Sequence, residues 1–351
     1  MEVVETVVWI IAGLVLIQLA LLVNLLVKKS SKINMELTIQ RHLIRLEADY
    51  WAFLFYDKQD EPELPSNPSE RVQVIERILN KVVDEVKGDV ETTRVQEAAH
   101  KYLSNPYKKY LHQGSWSQRV NTLYYLEDFQ MADLKEEVYH HFLRLENIDE
   151  EYRQTLRVLA SFRDERMIRV LLNQNDLPQR LVKQMLYRFP KDFIYQMIQI
   201  INDEAGRVPY NVHIGLITFC GEKGDSDYLD FVETRLHFPS KELRLKALKS
   251  LTEMCACSDL SLLEKYYHSP LWEERMYAAK LAGILKISQA KDILLTLAGD
   301  GEWWVRYAAC EALRRLPDGQ EILSATADQH EDRFARDMAQ QLLTVKVGES
   351  V

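Results

Sequence analysis

Three stretches of the C-terminal third superpose without a gap: KELRLKALKSL (241–251), WEERMYAAKLA (272–282) and WWVRYAACEAL (303–313). Arg244, Arg275 and Arg306 recur every 31 residues, each followed three positions later by Ala247, Ala278 or Ala309, and Arg336 extends the series by a further 30. The residues before them repeat in step, Leu262, Leu263 and Tyr266 matching Ile293, Leu294 and Leu297. A unit this short has room for two helices and cannot bury its apolar face alone, so neighbouring units must stack. Alanine at one fixed place marks a close approach of two helices. Arginine at the start of the second helix is placed to bond turn carbonyls or an acidic side chain of its neighbour.

These residues resemble HEAT-like (armadillo-type) repeats of the short bacterial form, which also occur in phycobilin-lyase-type repeat proteins. The best unit is LLTLAGDGEWWVRYAACEALRRL, in which Asp300 and Arg306 stand at the family's Asp/Arg spacing in the inter-helix turn. The resemblance runs from about Leu260 to Leu343 and implies an α-solenoid that binds a protein partner. Upstream, Arg119, Arg153, Arg180 and Pro209 occupy equivalent places, but their separations of 34, 27 and 29, then 35 to Arg244, are irregular. They read as degenerate units. With Ser269 at the place of Asp300, the acidic–basic ladder is expected to be discontinuous.

Elsewhere apolar residues also recur at three- and four-residue intervals, and only 12 glycines and 10 prolines interrupt them, so the fold class is all-α. Thr6 to Val27 are 22 consecutive uncharged residues. As a helix they span about 33 Å, the thickness of a bilayer's hydrocarbon core. Glu2 and Glu5 precede this stretch, while Lys28, Lys29 and Lys32 follow it. That order is the reverse of a cleaved signal peptide, and it puts the N-terminus outside a cell membrane and everything from Lys28 onward in the cytoplasm. Gln18, Asn24, Ala12, Gly13 and Ala20 give the span small or polar surfaces that a lone anchor tolerates or a second membrane helix uses.

Six segments follow the 1–32 anchor. Residues 33–57 form a membrane-proximal amphipathic helix whose Ile39, Leu43, Leu46, Tyr50 and Phe53 line one seam. Trp51, Leu54 and Phe55 widen the seam beyond a dimer contact, which favours packing on later helices over self-association. Residues 58–70, with Pro62, Pro65 and Pro68, read as a surface linker. Then come a helical part of the solenoid (71–115), the degenerate repeats (116–239), the well-formed repeats (240–345) and a tail (346–351).

No catalytic, phosphate-binding or dinucleotide-binding motif is present, so the chain is expected to be no enzyme and to need no cofactor. His140 and His141 are adjacent, hence about 100° apart on a helix, and cannot both ligate a metal from one face. Cys220, Cys255, Cys257 and Cys310 lack metal-ligand spacing and are expected to be buried reduced thiols. Net charge is −9, with +1 in the first 32 residues, which disfavours a nucleic-acid partner.

A membrane-associated protein partner fits better, with Trp272, Trp303, Trp304, Arg275, Arg306 and Arg314 as the candidate docking residues. Trp272 and Trp303 also fit wedges between repeats, and Arg275 and Arg306 fit bonds to the turns. Two other readings stay open: a ligand-processing enzyme of the bilin-lyase kind, and a nucleic-acid solenoid using Lys246, Lys249, Lys280, Arg314 and Arg315.

Overall fold

The computed structural model describes residues 2–55, 61–83, 85, 89–203 and 208–344. Residues 58–60 of the linker and the 346–351 tail lie outside them. The chain is all-helical and divides into two compact units, Met1–Asp164 and Glu165–Val351.

The first unit begins with α1 (Glu2–Phe55), a single 54-residue helix. Its forward part is mostly apolar, and among its described side chains Leu14, Leu16, Leu19, Leu22, Leu25 and Val27 are all more than half exposed. Water does not tolerate such a surface, and the helix is long and apolar enough to cross a membrane. The same helix then becomes amphipathic without a break. Ile39, Leu43, Leu46 and Tyr50 are buried, with Leu54 rather than Phe53 completing the seam. They pack on α2 (Pro68–Val83) and α3 (Asp89–Gln113). Ion pairs flank this contact, Arg77 with Glu36 at 2.6 Å and Lys81 with Glu47 at 2.7 Å.

The proline-rich stretch is tied down rather than loose. Arg71 donates to the carbonyls of Pro65 at 2.9 Å and Ser66 at 3.0 Å, and Glu61 accepts from Tyr50, Lys101 and Tyr102. Burial raises the Glu61 pKa, but these three donors outweigh it and hold the carboxyl below its usual value. The helix resumes at Pro68, three residues earlier than the sequence suggests. Proline suits a first helical position, where its missing N–H is not needed. α4 (Trp116–Asp128), α5 (Lys135–Phe142) and α6 (Glu150–Ser161) complete the unit, with Ser115 and Gln118 forming a reciprocal cap at the start of α4.

The second unit contains α7 (Arg166–Asn173), α8 (Gln179–Leu186), α9 (Lys191–Asp203), α10 (Tyr210–Lys223), α11 (Leu229–Thr234), α12 (Lys241–Met254), α13 (Glu264–Tyr267), α14 (Trp272–Ile284), α15 (Lys291–Ala298), α16 (Trp303–Arg315), α17 (Gly319–Gln329) and α18 (Arg333–Thr344). The second helices of successive repeats, α8, α10, α12, α14, α16 and α18, pack side by side in that order. Their first residues from 179 to 303 are 31 apart without exception. From α8 on, the irregular spacing read from the sequence is therefore a matter of register, whereas the 34 between Arg119 and Arg153 is that of the helix starts Trp116 and Glu150 themselves. Counted from each helix start, the arginine place is held by Val182 and His213, not by Arg180 and Pro209; Pro209 is the residue that precedes α10.

Small residues set the helix separation. A Cβ on Gly221 would lie 2.6 Å from the Cβ of Ser250, and one on Gly283 would lie 2.5 Å from the Cα of Ala312. Gly221 and Gly283 stand two repeats apart in the same register, where only a missing side chain lets the backbones come this close.

Candidate functional site

Each repeat arginine reaches back over the turn before its helix. The Nη1 of Arg244 donates to the carbonyls of Phe238 (3.0 Å) and Pro239 (2.7 Å), that of Arg306 to Asp300 (2.7 Å) and Gly301 (2.9 Å), and that of Arg336 to His330 (2.6 Å) and Glu331 (3.0 Å). Arg275 makes the same bond to Ser269 (2.7 Å), and Arg119, in the first unit, to Gly114 (2.8 Å). The turns have carbonyls left over where one helix ends and the next begins, and a planar guanidinium satisfies two at once.

The other edge of the guanidinium takes a carboxylate from the next repeat at Arg119, Arg244 and Arg275. Arg275 grips Asp300 through Nε (2.7 Å) and Nη2 (2.9 Å). Burial works against the charge on Asp300, but Arg275 and the Glu302 amide hold its carboxyl below the ordinary value. The ladder expected to break at Ser269 does not. Glu274, on α14, reaches Arg244 Nε at 2.8 Å and accepts the Ser269 hydroxyl with its other oxygen. In the first unit Glu151, on α6, plays this part for Arg119. Neither glutamate was evident in the sequence, because each lies inside a helix rather than in the turn where the resemblance puts an acid.

Arg306 departs from the pattern. The residue at the place of Asp300 one repeat later is His330, which turns to the carbonyl of Leu295 at 3.0 Å. The buried Nε of Arg306 has no hydrogen-bond partner, and its guanidinium carbon instead stands 5.2 Å from the centroid of the Phe334 ring. Phe334 is 61% exposed, and sequence reading had passed over it.

Register explains how Phe334 could have been found. The first residue of one second helix lies beside the second residue of the next: Tyr210 donates to Glu242 at 2.8 Å, and Lys241 pairs with Glu273 at 2.9 Å. At the two following steps the residues in these places are Trp272 and Trp304, then Trp303 and Phe334. Along one row of helix starts the chain thus changes from paired polar residues to large aromatics. Trp303 stacks on Tyr307 and meets Trp304 edge-on at 4.7 Å, and both tryptophans are exposed, at 43% and 55%. Trp272 is half-buried. Arg306 stands beside the end of this row; like Arg336, it bonds carbonyls of its own turn and takes no carboxylate from the next repeat.

Other candidates lie apart from it. Arg275 is held by Asp300, and Arg314 by Glu311 on its own helix at 2.6 Å. Arg315 also reaches Glu311, and Lys249 pairs with Glu253, so three of the five proposed strand-binding cations are matched by local acids. His141 is buried against Glu151 at 2.8 Å, and burial keeps its imidazole below the ordinary histidine pKa, while His140 faces solvent. Cys220 and Cys310 are buried thiols, but Cys255 is exposed and Cys257 half-buried, contrary to the expectation of four buried cysteines. Cys255 closes α12 in the left-handed conformation, which turns its side chain away from the core.

Residues 292–316, which span α15, the turn and α16, match the family model of the HEAT repeat. No curated protein matches the chain. Among solved structures, human deoxyhypusine hydroxylase in complex with glycerol is similar at 15% identity, covering 79% of this chain and 91% of that one, with a TM-score of 0.28. The expectation of a non-enzyme is corrected here, since a chain matched in this way is itself an enzyme. Likeness at this level assigns no activity.

Proposed function

From a chain that carries HEAT repeats behind a helix able to cross a membrane, we propose a membrane-tethered docking protein whose last repeats bind an acidic, apolar segment of a membrane-associated partner. One observation carries this reading. Arg306, whose Nε has no hydrogen-bond partner, stands next to Phe334 and beside a row in which exposed Trp303 and Trp304 take the place of polar pairs. A carboxylate from outside completes the pairing that Asp300 and Glu274 supply one and two repeats earlier, and apolar side chains around it cover the three rings. Arg275 and Arg306 then have different roles: the first holds repeats together and the second recognises. The tether in lipid raises the local concentration of a partner in the same membrane.

The test is photocrosslinking in native membranes from residue 304 of the full chain, with residue 242 as the control site. A single defined adduct that forms from 304, fails from 242 and disappears with Arg306→Met or Phe334→Ala supports the reading. Equal adducts from both sites, or an adduct indifferent to both substitutions, refutes it.

A further inference from the structure

In the first unit, α2, α3 and α4 enclose a polar cleft of about 310 Å³. Glu76 sits in its wall, with Tyr110 from α3 and Tyr125 from α4 around it and the amides of Gln73, Gln118 and Asn121 along the rest. Arg77 also lines the cleft, but its charge is already paired: both its terminal nitrogens bond the carboxylate of Glu36 on α1, each at 2.6 Å. Behind Glu76 stands Tyr107, fully buried, whose hydroxyl makes no hydrogen bond of good geometry. The groups acting on Glu76 are therefore three phenols and an arginine already paired. A half-buried carboxyl that shares a cleft with two tyrosine rings, and whose neighbouring cation is already paired, is an arrangement that holds an ammonium ion.

We propose that this cleft binds an alkylammonium group, with the Glu76 carboxylate as counter-ion, the Tyr110 and Tyr125 rings as walls and the amides as acceptors and donors for what the group is attached to. Burial pushes the Glu76 pKa up to about 7, outweighing the Tyr107 hydroxyl and the Arg77 charge, which act the other way. Loading an ammonium ion draws the proton off, so binding strengthens as pH rises through that value. A lysine side chain of another protein and a free diamine share this chemistry.

The full chain in nanodiscs is titrated by calorimetry with putrescine and, separately, with an acetylated and amidated tripeptide centred on lysine; butane-1,4-diol serves as the uncharged control. Saturable binding of either amine at pH 8, weaker by about tenfold at pH 6 and lost in Glu76→Gln, supports the site. The tighter of the two ligands identifies the source of the ammonium group. Binding of neither amine, equal binding by the diol, or affinity that Glu76→Gln leaves intact overturns it. The pH dependence is read on the unmodified chain, so a variant that fails to fold leaves the test decisive.

Discussion

Replacing Gly283 by alanine tests the close contact that sets the repeat spacing. The new Cβ would stand 2.5 Å from the Cα and 2.7 Å from the Cβ of Ala312, whereas relaxed carbon contacts lie at about 3.5–4.0 Å. The obstructing atom is backbone, so no rotamer change relieves it, and α14 and α16 must part by about 1 Å. Alanine gains about 1 kcal/mol over glycine in helix propensity. Overpacking costs about 1–3 kcal/mol, and a backbone obstruction puts this case near the top of that range. The net loss is about 1–2 kcal/mol, a melting temperature lowered on the order of 5 °C in a unit of this size. Far-UV circular dichroism of the full chain in detergent reads this directly. Gly301→Ala is the control, since nothing lies within 4 Å of its added Cβ, and it should melt within a degree of the parent. Adding Ala312→Gly removes the 2.7 Å contact but not the 2.5 Å one and itself costs about 1 kcal/mol in helix propensity, so the double variant should stay below the parent. A Gly283→Ala protein as stable as the parent refutes the claim that this contact fixes the helix separation.

Asp300→Asn leaves Arg275 half-paired between two repeats; the expected loss is about 2–4 kcal/mol, read as a fall in melting temperature larger than for the exposed pair partner Lys241→Met. Glu76 holds its proton more tightly folded than unfolded, so folding takes up a proton between pH 4.5 and about 7 and stability declines as pH rises through that window. The decline is no more than about 3 kcal/mol, and chemical denaturation across that range should show it flattened in Glu76→Gln. Trp304→Ala, on an exposed side chain, should leave melting unchanged while abolishing the photocrosslink from a probe moved to residue 334. Arginine at both Leu16 and Leu19 costs about 2.5–3.5 kcal/mol each in lipid, and should move the full chain from the carbonate-resistant membrane fraction to the supernatant.

The repeat was legible because three units keep both markers, Arg244 with Ala247, Arg275 with Ala278 and Arg306 with Ala309. Where the marker is replaced, as by Val182 and His213, matching on arginine slides to the wrong residue, although the helix starts stay in step. Pro178 and Pro209, each just before a helix and 31 residues apart, were the usable signal. Glu274 and Glu151 were missed because a carboxylate on a helix has the reach of one in a turn, which spacing alone does not reveal. Phe334 was missed because its exposure depends on which neighbour follows, and the C-terminal repeat has none among the described residues. The Glu76 cleft was beyond reach for another reason. Residues 76, 110 and 125 share no sequence pattern, and three helices must pack before they meet.

The absence of a joint between the exposed apolar part and the packed part of α1 has a mechanical consequence. A tether made of loose chain lets its cargo turn freely, whereas a continuous helix whose Ile39, Leu43, Leu46 and Tyr50 are locked into the first unit passes every tilt and roll of its apolar end straight to that unit. If residues 6–27 sit in a bilayer, Arg77 and its Glu36 partner stand only a few helical turns from the headgroups, at a fixed bearing. Such a stalk reports the attitude of the membrane segment as a lever does, so a neighbouring membrane helix that rotated α1 would swing the Glu76 cleft with it.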